Sequence, residues 1–157
     1  MTAAPDVGLV ALIGSWRLVS VEATFTDTGE RVATFGAAPN GRMVFTSAGR
    51  ITFLITKSDR QPARDDAARA MLFNETIAYS GTVRLQSPGV LVTTVEISLF
   101  PEEVGTEKLR HFTVDGDRLQ IRRPEQGSRV TQGRLTVSDL IWAREGPPVT
   151  TPAGTAG

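Results

Sequence analysis

Apolar residues recur along this chain with the two-residue period of β-strands, and short turn sequences rich in Gly, Pro, Asp and Ser interrupt them at regular intervals. Alternation of this kind places one face of each strand in a core and the other toward solvent. The pattern predicts eight strands, at about residues 15–25, 42–46, 50–56, 77–85, 90–100, 107–114, 118–122 and 134–143.

One segment departs from the strand period and instead predicts a short helix over residues 58–74. Its apolar residues Ala67, Ala70 and Met71 follow the i, i+3, i+4 spacing of a helix face. Ser58 or Asp59 is a suitable N-cap, and Pro62 suits a first turn.

Eight short strands joined in sequence favour an all-β fold, an eight-stranded antiparallel up-and-down barrel with one short helix, because closure removes exposed strand edges. A half-open sandwich is the alternative. Eight strands leave room inside for one small ligand. We expect residues 1–13 to be a lead-in, residues 14–145 to form the barrel domain and residues 146–157 to be a disordered tail, since the tail has little to bury.

Composition narrows the classes of function. The 17 basic and 17 acidic side chains give a formal net charge of zero, so the protein has no overall charge to attract nucleic acid or a membrane surface, and such partners are not expected. The chain has no cysteine and one histidine, which predicts no disulfide, no metal site and no cofactor. No Lys or Arg precedes the first apolar run, so we read no export signal there and expect a cytoplasmic protein, a monomer or a homodimer.

The two ends of the predicted barrel carry a family resemblance. Gly14-Ser15-Trp16 opens the first strand, and Ile141-Trp142-Ala143-Arg144 closes the last. Further blocks agree in order and spacing: LIGSWRLVS at 12–20, NGRMVFT at 40–46, AYSG at 78–81, VEISLFP at 95–101, VGTE at 104–107 and GDRL at 116–119. Together they resemble the bacterial and fungal lipocalin-like domain family over about residues 12–144.

The resemblance implies a small cytoplasmic barrel, in a family of which some members accompany natural-product pathways and related cups bind or cyclise polyketide-like intermediates. In the family a histidine often stands just before the Val-Glu of the fifth strand, where this chain has Thr93 and Thr94. This departure weakens the transfer of any catalytic role to the present chain.

Trp16 shares strand parity with Leu18 and Ser20, which places its ring at the floor of the barrel. We interpret it mainly as a packed structural residue, and Arg144 stacked on an aromatic ring would be structural as well. Tyr79 shares the parity of Gly81, and a buried phenol needs a partner, which is either the backbone or a ligand carbonyl.

The fifth strand allows two interpretations. Ordinary alternation places the polar row of Thr94, Glu96 and Ser98 in solvent, whereas a ligand barrel can carry such a row inside. If Glu96 is inside, Arg110 on the next strand is its natural partner. His111 has the opposite parity to Arg110 and is expected outside, while Glu102 and Glu103 are expected in a solvated turn.

These residues define one expected site. We name Glu96, Arg110 and Tyr79 as candidate catalytic groups. The residues expected to bind the ligand are Trp16, Leu18, Phe45, Phe53, Tyr79, Gly81, Val83, Ser98 and Phe112.

The expected function is binding of a small, largely apolar molecule in the cavity, with cofactor-independent cyclisation or isomerisation as its catalytic form. The alternatives are a non-catalytic carrier and a protein-interaction module. A carrier and a cyclase need nearly the same cavity wall, so the sequence leaves both open.

Overall fold

The computed structural model describes residues 7–128 and 131–146 of the chain. Two α-helices and nine β-strands form in this part of the chain. In order they are α1 Val7–Leu12, β1 Gly14–Phe25, β2 Arg31–Val32, β3 Asn40–Phe45, β4 Arg50–Thr56, α2 Asp66–Asn74, β5 Thr76–Ser87, β6 Val90–Ser98, β7 Glu107–Asp115, β8 Arg118–Gln126 and β9 Thr136–Arg144.

Eight of the strands close into an antiparallel barrel, which confirms the predicted fold class. The order around the barrel is β1-β3-β4-β5-β6-β7-β8-β9, and β9 pairs with β1 to complete the ring. The two-residue strand β2 is additional and pairs with Ala23 and Thr24 of β1. Apart from the closing pair β9–β1, strands that are neighbours in the barrel follow one another in the chain, with β2 between β1 and β3 and α2 between β4 and β5.

One end of the barrel is closed by the helix α1. The sequence did not predict this helix, since residues 1–13 were expected to be only a lead-in to the barrel. Leu12 at the end of α1 is fully buried. A Cβ on Gly8 would lie 2.8 Å from Leu85 Cδ1 and 3.3 Å from the ring of Phe112, so the helix packs tightly under β5 and β7. We call this end, with the β3–β4, β5–β6 and β7–β8 turns, the closed end.

The two end motifs of the sequence meet at the closed end. The Trp16 indole Nε1 donates to the carbonyl of Leu12 at 2.9 Å, and the Arg144 guanidinium lies 4.2 Å from the centre of the Trp16 ring. Arg144 also donates to the carbonyls of Ile13 and Ala11 at 2.9 and 2.8 Å. These bonds satisfy the carbonyls that the end of α1 leaves without helical partners.

The opposite end, which we call the open end, carries α2 and the longer loops. The predicted helix forms, but it begins later than the expected caps Ser58 and Asp59. Asp65 is the N-cap, and its carboxylate accepts from the amide of Ala68 at 2.8 Å. The preceding residues 57–65 contain no helix, because an acidic cap next to good helix formers gives a better start than Pro62.

Two β-bulges change which side chains face inward. In β1 the register shifts between Leu18 and Ser20, so Val21 rather than Ser20 follows Leu18 into the core. In β6 the residue Glu96 is the extra one, because Val95 pairs with Gly81 while Ile97 pairs with Ser80. A bulge breaks simple alternation, which a sequence period cannot detect. The tail expected at 146–157 lies outside the described residues, apart from Gly146.

Candidate functional site

A cavity of about 290 Å³ occupies the open-end half of the barrel. Most of its wall is apolar. The apolar members of the wall are Val21, Phe35, Met43, Ile51, Phe53, Ile55, Ile77, Leu91, Phe100, Ile121 and Leu140. The barrel therefore encloses space for one small molecule, as eight strands allow.

Polar side chains enter this cavity from a few places on the barrel wall. They are Tyr79 on β5, Thr93 on β6, Lys108 and Arg110 on β7, Arg123 on β8 and Ser138 on β9, with Glu102 and Glu103 from the β6–β7 connection. Asn74, Thr76 and loop residues form the mouth. A few polar groups on an apolar wall can fix the orientation of a ligand.

The closed-end half of the barrel is solid, which corrects part of the expected site. Trp16, Leu18, Phe45 and Phe112 are buried in the core, Val83 packs against them, and none of the five lines the cavity. Because α1 and the two tryptophans fill this half, the floor of the cavity lies nearer the open end than the sequence suggested. Of the expected apolar contacts, Phe53 remains in the wall.

Gly81 serves the packing of strands rather than the ligand. A Cβ at this position would lie 1.9 Å from the carbonyl oxygen of Thr94 on the neighbouring strand. The glycine therefore permits the close approach of β5 and β6 at the bulge, and it does not line the cavity.

Glu96 lies on the outer surface, where alternation with the inward-facing Thr93 and Val95 places it, so the interpretation in which it faces the cavity and pairs with Arg110 is wrong. Its carboxylate accepts from Arg50 Nη1 on the outside at 3.1 and 3.2 Å. The β6 bulge acts on the residues that follow and turns Ser98 toward the inner side, opposite Tyr79. Ser98 is partly buried, but its hydroxyl donates to Glu103 at 2.9 Å instead of lining the cavity.

Tyr79 is the expected site residue that the structure places most clearly in the cavity wall. Its ring stacks on Phe53 with centroids 4.9 Å apart, and Lys108 Nζ lies 5.1 Å from its centre. Within the described part of the chain, the Tyr79 hydroxyl has no hydrogen-bond partner. Burial raises the pKa of Tyr79, Arg110 lowers it and Glu103 raises it, so the phenol is a protonated donor at neutral pH.

Glu103 and Lys108 form an ion pair beside Tyr79. Their charged atoms are 2.8 Å apart, and both side chains are largely buried, with 25% and 15% of their surface exposed. Glu103 was expected in a solvated turn, but the short 3-10 helix Pro101–Glu103 turns it inward. Sequence spacing gave no signal for this, since the turn geometry alone decides the direction of the side chain.

Arg110 and Arg123 are two further cations of the site, and both are half-buried. Arg110 Nη1 donates to the carbonyl of Leu109 at 2.7 Å, and Arg123 Nη2 donates to the hydroxyls of Thr136 and Ser138 at 2.6 and 3.0 Å. Burial lowers the pKa of Arg110, and burial together with the Arg110 charge lowers the pKa of Arg123 to about 10. Both remain cationic at neutral pH.

Arg123 was missed because the predicted strand ended at residue 122, whereas β8 continues to Gln126. It shares the inward parity of Leu119 and Ile121, so a longer strand would have predicted it. His111 is exposed on the outer face, as the alternation predicted. Among the described residues, no cluster of His, Cys, Asp or Glu side chains is arranged to hold a metal ion.

The extent of the barrel, from Gly14 to Arg144, agrees with a comparison of sequences. The profile of the lipocalin-like domain family matches residues 13–145. The chain belongs to this family. That match covers the whole barrel and confirms the resemblance drawn from the two end motifs. No curated protein matches the chain.

Two solved structures are similar to the chain at low sequence identity. A structure of EF1p2_mFAP2b bound to DFHBI is 16% identical, covers 87% of this chain and 95% of its own, and has a TM-score of 0.46. As-p18, an extracellular fatty acid binding protein, is 12% identical to this chain. The match covers 86% of this chain and 96% of As-p18, with a TM-score of 0.40. None of the helices in the described ranges is long and apolar enough to span a membrane.

Proposed function

We propose that this lipocalin-like barrel binds a small, largely apolar molecule in the cavity of its open-end half. The observation that carries the proposal is the contrast between the two halves. One half is packed solid around Trp16 and Trp142, whereas the other keeps about 290 Å³ open behind an apolar wall. A fold that can fill its core with side chains loses packing by leaving such a space, so a ligand is the simplest reason for it.

The dimensions and chemistry of the cavity limit the ligand. Its volume lies near the small end of the range for ligand sites, roughly 300–1,000 Å³. Phe53, Leu91 and Ile121 offer an apolar surface to the body of the molecule, and Tyr79 and Arg110 offer donors to a polar end. We propose no nucleic-acid, membrane or cofactor partner for this function, and a cytoplasmic monomer or homodimer remains our prediction.

A second candidate is a cofactor-independent cyclase or isomerase that uses the same cavity. It is favoured by the Tyr79 hydroxyl and the Arg110 guanidinium, which both line the cavity and interact electrostatically. A protonated phenol and a cation can together stabilise the oxyanion of an enolising carbonyl. Glu96 has no part in this version because it lies outside. We favour binding, which requires no general base in the cavity.

Titration with N-phenyl-1-naphthylamine, a neutral apolar fluorophore, tests the binding proposal. Thr93 faces the cavity and is 2% exposed, whereas Thr94 faces away on the same strand. We expect the wild type to bind the fluorophore, and Thr93→Phe to weaken it about tenfold or more by filling the space. Thr94→Phe is the matched control and should leave binding unchanged.

Two results would count against cavity binding: no saturable binding to the wild type, or equal binding to the two phenylalanine variants when both retain the wild-type circular dichroism. The catalytic version is tested with a candidate precursor under single-turnover conditions. It requires Tyr79→Phe to lower the rate of turnover while leaving the affinity for the fluorophore unchanged, and equal rates in both proteins would refute the role of Tyr79.

A further inference from the structure

Two arginines meet in the cavity wall on neighbouring strands. In the β7–β8 ladder, His111 pairs with Arg122 and Phe112 pairs with Ile121. Continued by one step, this register sets Arg110 against Arg123; both line the cavity, and the charge of Arg110 contributes to lowering the pKa of Arg123. Like charges directly opposite in an antiparallel pair repel each other, and removing them from water increases the penalty.

The protein itself supplies little compensation for these two charges. In the described ranges, no carboxylate lies within ion-pair distance of either guanidinium. Glu103 is already paired with Lys108 at 2.8 Å, and Glu102 is exposed at the mouth. Including these groups, the described lining of the cavity carries three cations and two carboxylates, an excess of one positive charge.

The hydrogen bonds of the two guanidiniums leave most of their donors available. Each guanidinium has five N–H groups. The bonds to protein oxygens use Nη1 of Arg110 and Nη2 of Arg123 and go to neutral carbonyl and hydroxyl oxygens. Those oxygens orient the two side chains but do not neutralise them, so an anion in the cavity could bind through the remaining donors.

We propose that the ligand of this cavity is an amphipathic acid whose carboxylate binds between Arg110 and Arg123 while its apolar body lies against Phe53, Leu91 and Ile121. This inference rests on the proposed function and names the class of its ligand. A planar carboxylate matches the bidentate geometry of guanidinium groups, and one negative charge relieves the repulsion between them. The Tyr79 hydroxyl is a third donor on the same wall.

The proposal is tested with a pair of fluorophores that share one apolar body. 8-Anilino-1-naphthalenesulfonate carries a negative charge, and N-phenyl-1-naphthylamine does not. We expect the wild type to bind the anionic probe about tenfold more tightly or better, because a charge-assisted hydrogen bond to an arginine inside the cavity contributes at least that factor. Arg110→Met and Arg123→Met should each remove this preference and leave the affinity for the neutral probe nearly unchanged.

Arg118→Met is the matched control, since Arg118 lies exposed on the same strand as Arg123. It should alter neither affinity. Equal affinity of the wild type for the two probes, or an anionic preference that survives both cavity variants, would overturn the acid proposal and leave cavity binding in place. Failure of the wild type to bind either probe would instead refute the proposed function.

A measurement on the wild type alone covers the case in which a variant does not fold. Octanoate and 1-octanol, which differ in the charge of the head group, are compared as competitors of N-phenyl-1-naphthylamine. We expect octanoate to displace the fluorophore at a concentration about tenfold lower than octanol, by the same hydrogen-bond argument. Displacement by octanol at an equal or lower concentration would contradict a carboxylate site.

Discussion

Replacing Arg144 by methionine should destabilise the barrel by separating its helical plug from its last strand. Methionine keeps much of the aliphatic stem but loses every polar contact. Those contacts are two hydrogen bonds to carbonyls at the end of α1, at 2.8 and 2.9 Å, and the stacking on Trp16 at 4.2 Å. The ion pair with Asp117 at 3.6 Å is a fourth contact.

The size of the effect follows from these contacts. Hydrogen bonds from a charged donor contribute about 1.5–3 kcal/mol each when buried, but the freed carbonyls can regain water here, which halves that value. The cation-π contact adds about 1 kcal/mol. The Asp117 carboxylate is 87% exposed, so its pair adds little. We therefore expect Arg144→Met to lower the free energy of unfolding by about 2–4 kcal/mol.

Urea denaturation followed by tryptophan fluorescence measures this loss. Asp117→Asn is the control, because it removes the exposed ion pair alone and should change the free energy of unfolding by less than about 0.5 kcal/mol. In the Arg144→Met variant, the rate of amide hydrogen exchange should increase more in α1 than in β5. If Arg144→Met lies within the error of Asp117→Asn, then the contacts at the closed end do not hold α1 to the barrel and the reasoning fails.

Three further predictions concern the core and the cavity. Trp16→Phe should lower the free energy of unfolding by about 1–3 kcal/mol more than Trp142→Phe, because the Trp16 indole has a partner at 2.9 Å while that of Trp142 has none in the described residues. Denaturation of both variants measures the difference, and equal losses would contradict it. Gly81→Ala should destabilise by about 1–3 kcal/mol through the Thr94 carbonyl, whereas Thr82→Ala should change stability by less than about 0.5 kcal/mol. Equal midpoints of thermal unfolding for these two variants would count against the close approach of β5 and β6 at Gly81. Tyr79 is the sole tyrosine, so ultraviolet absorbance at rising pH reports its pKa directly. The midpoint should exceed the value in urea, rise further in Arg110→Met and fall in Glu103→Gln. Since the raised pKa belongs to the folded state, Tyr79 should lower stability as pH rises above its unfolded pKa, and a midpoint equal to that in urea would refute its burial.

The barrel was predictable because alternation and turn residues are local signals. The strand 50–56 was predicted with the bounds of β4, and Arg144, interpreted from the sequence as a structural residue stacked on an aromatic ring, stacks on Trp16. The plug α1 was not predicted, since six apolar residues next to a strand have no period long enough to distinguish a helix.

The candidate site was harder to predict because it depends on where alternation stops. Glu96 lies outside, as ordinary alternation places it, but the single bulge at Glu96 turns Ile97 outward and Ser98 to the inner side. Tyr79 and Arg110 lie on strand segments without such a break, and the parity argument placed both correctly toward the cavity. Arg123 required the true length of β8, which depends on pairing with β9 rather than on its own sequence.

A crystal structure of the protein grown with sodium decanoate would locate both ends of the proposed ligand. We expect the alkyl chain to lie in the open-end half of the barrel against Phe53 and Leu91, with the carboxylate between Arg110 and Arg123. A lumen filled by side chains, or decanoate bound on the outer surface alone, would contradict it.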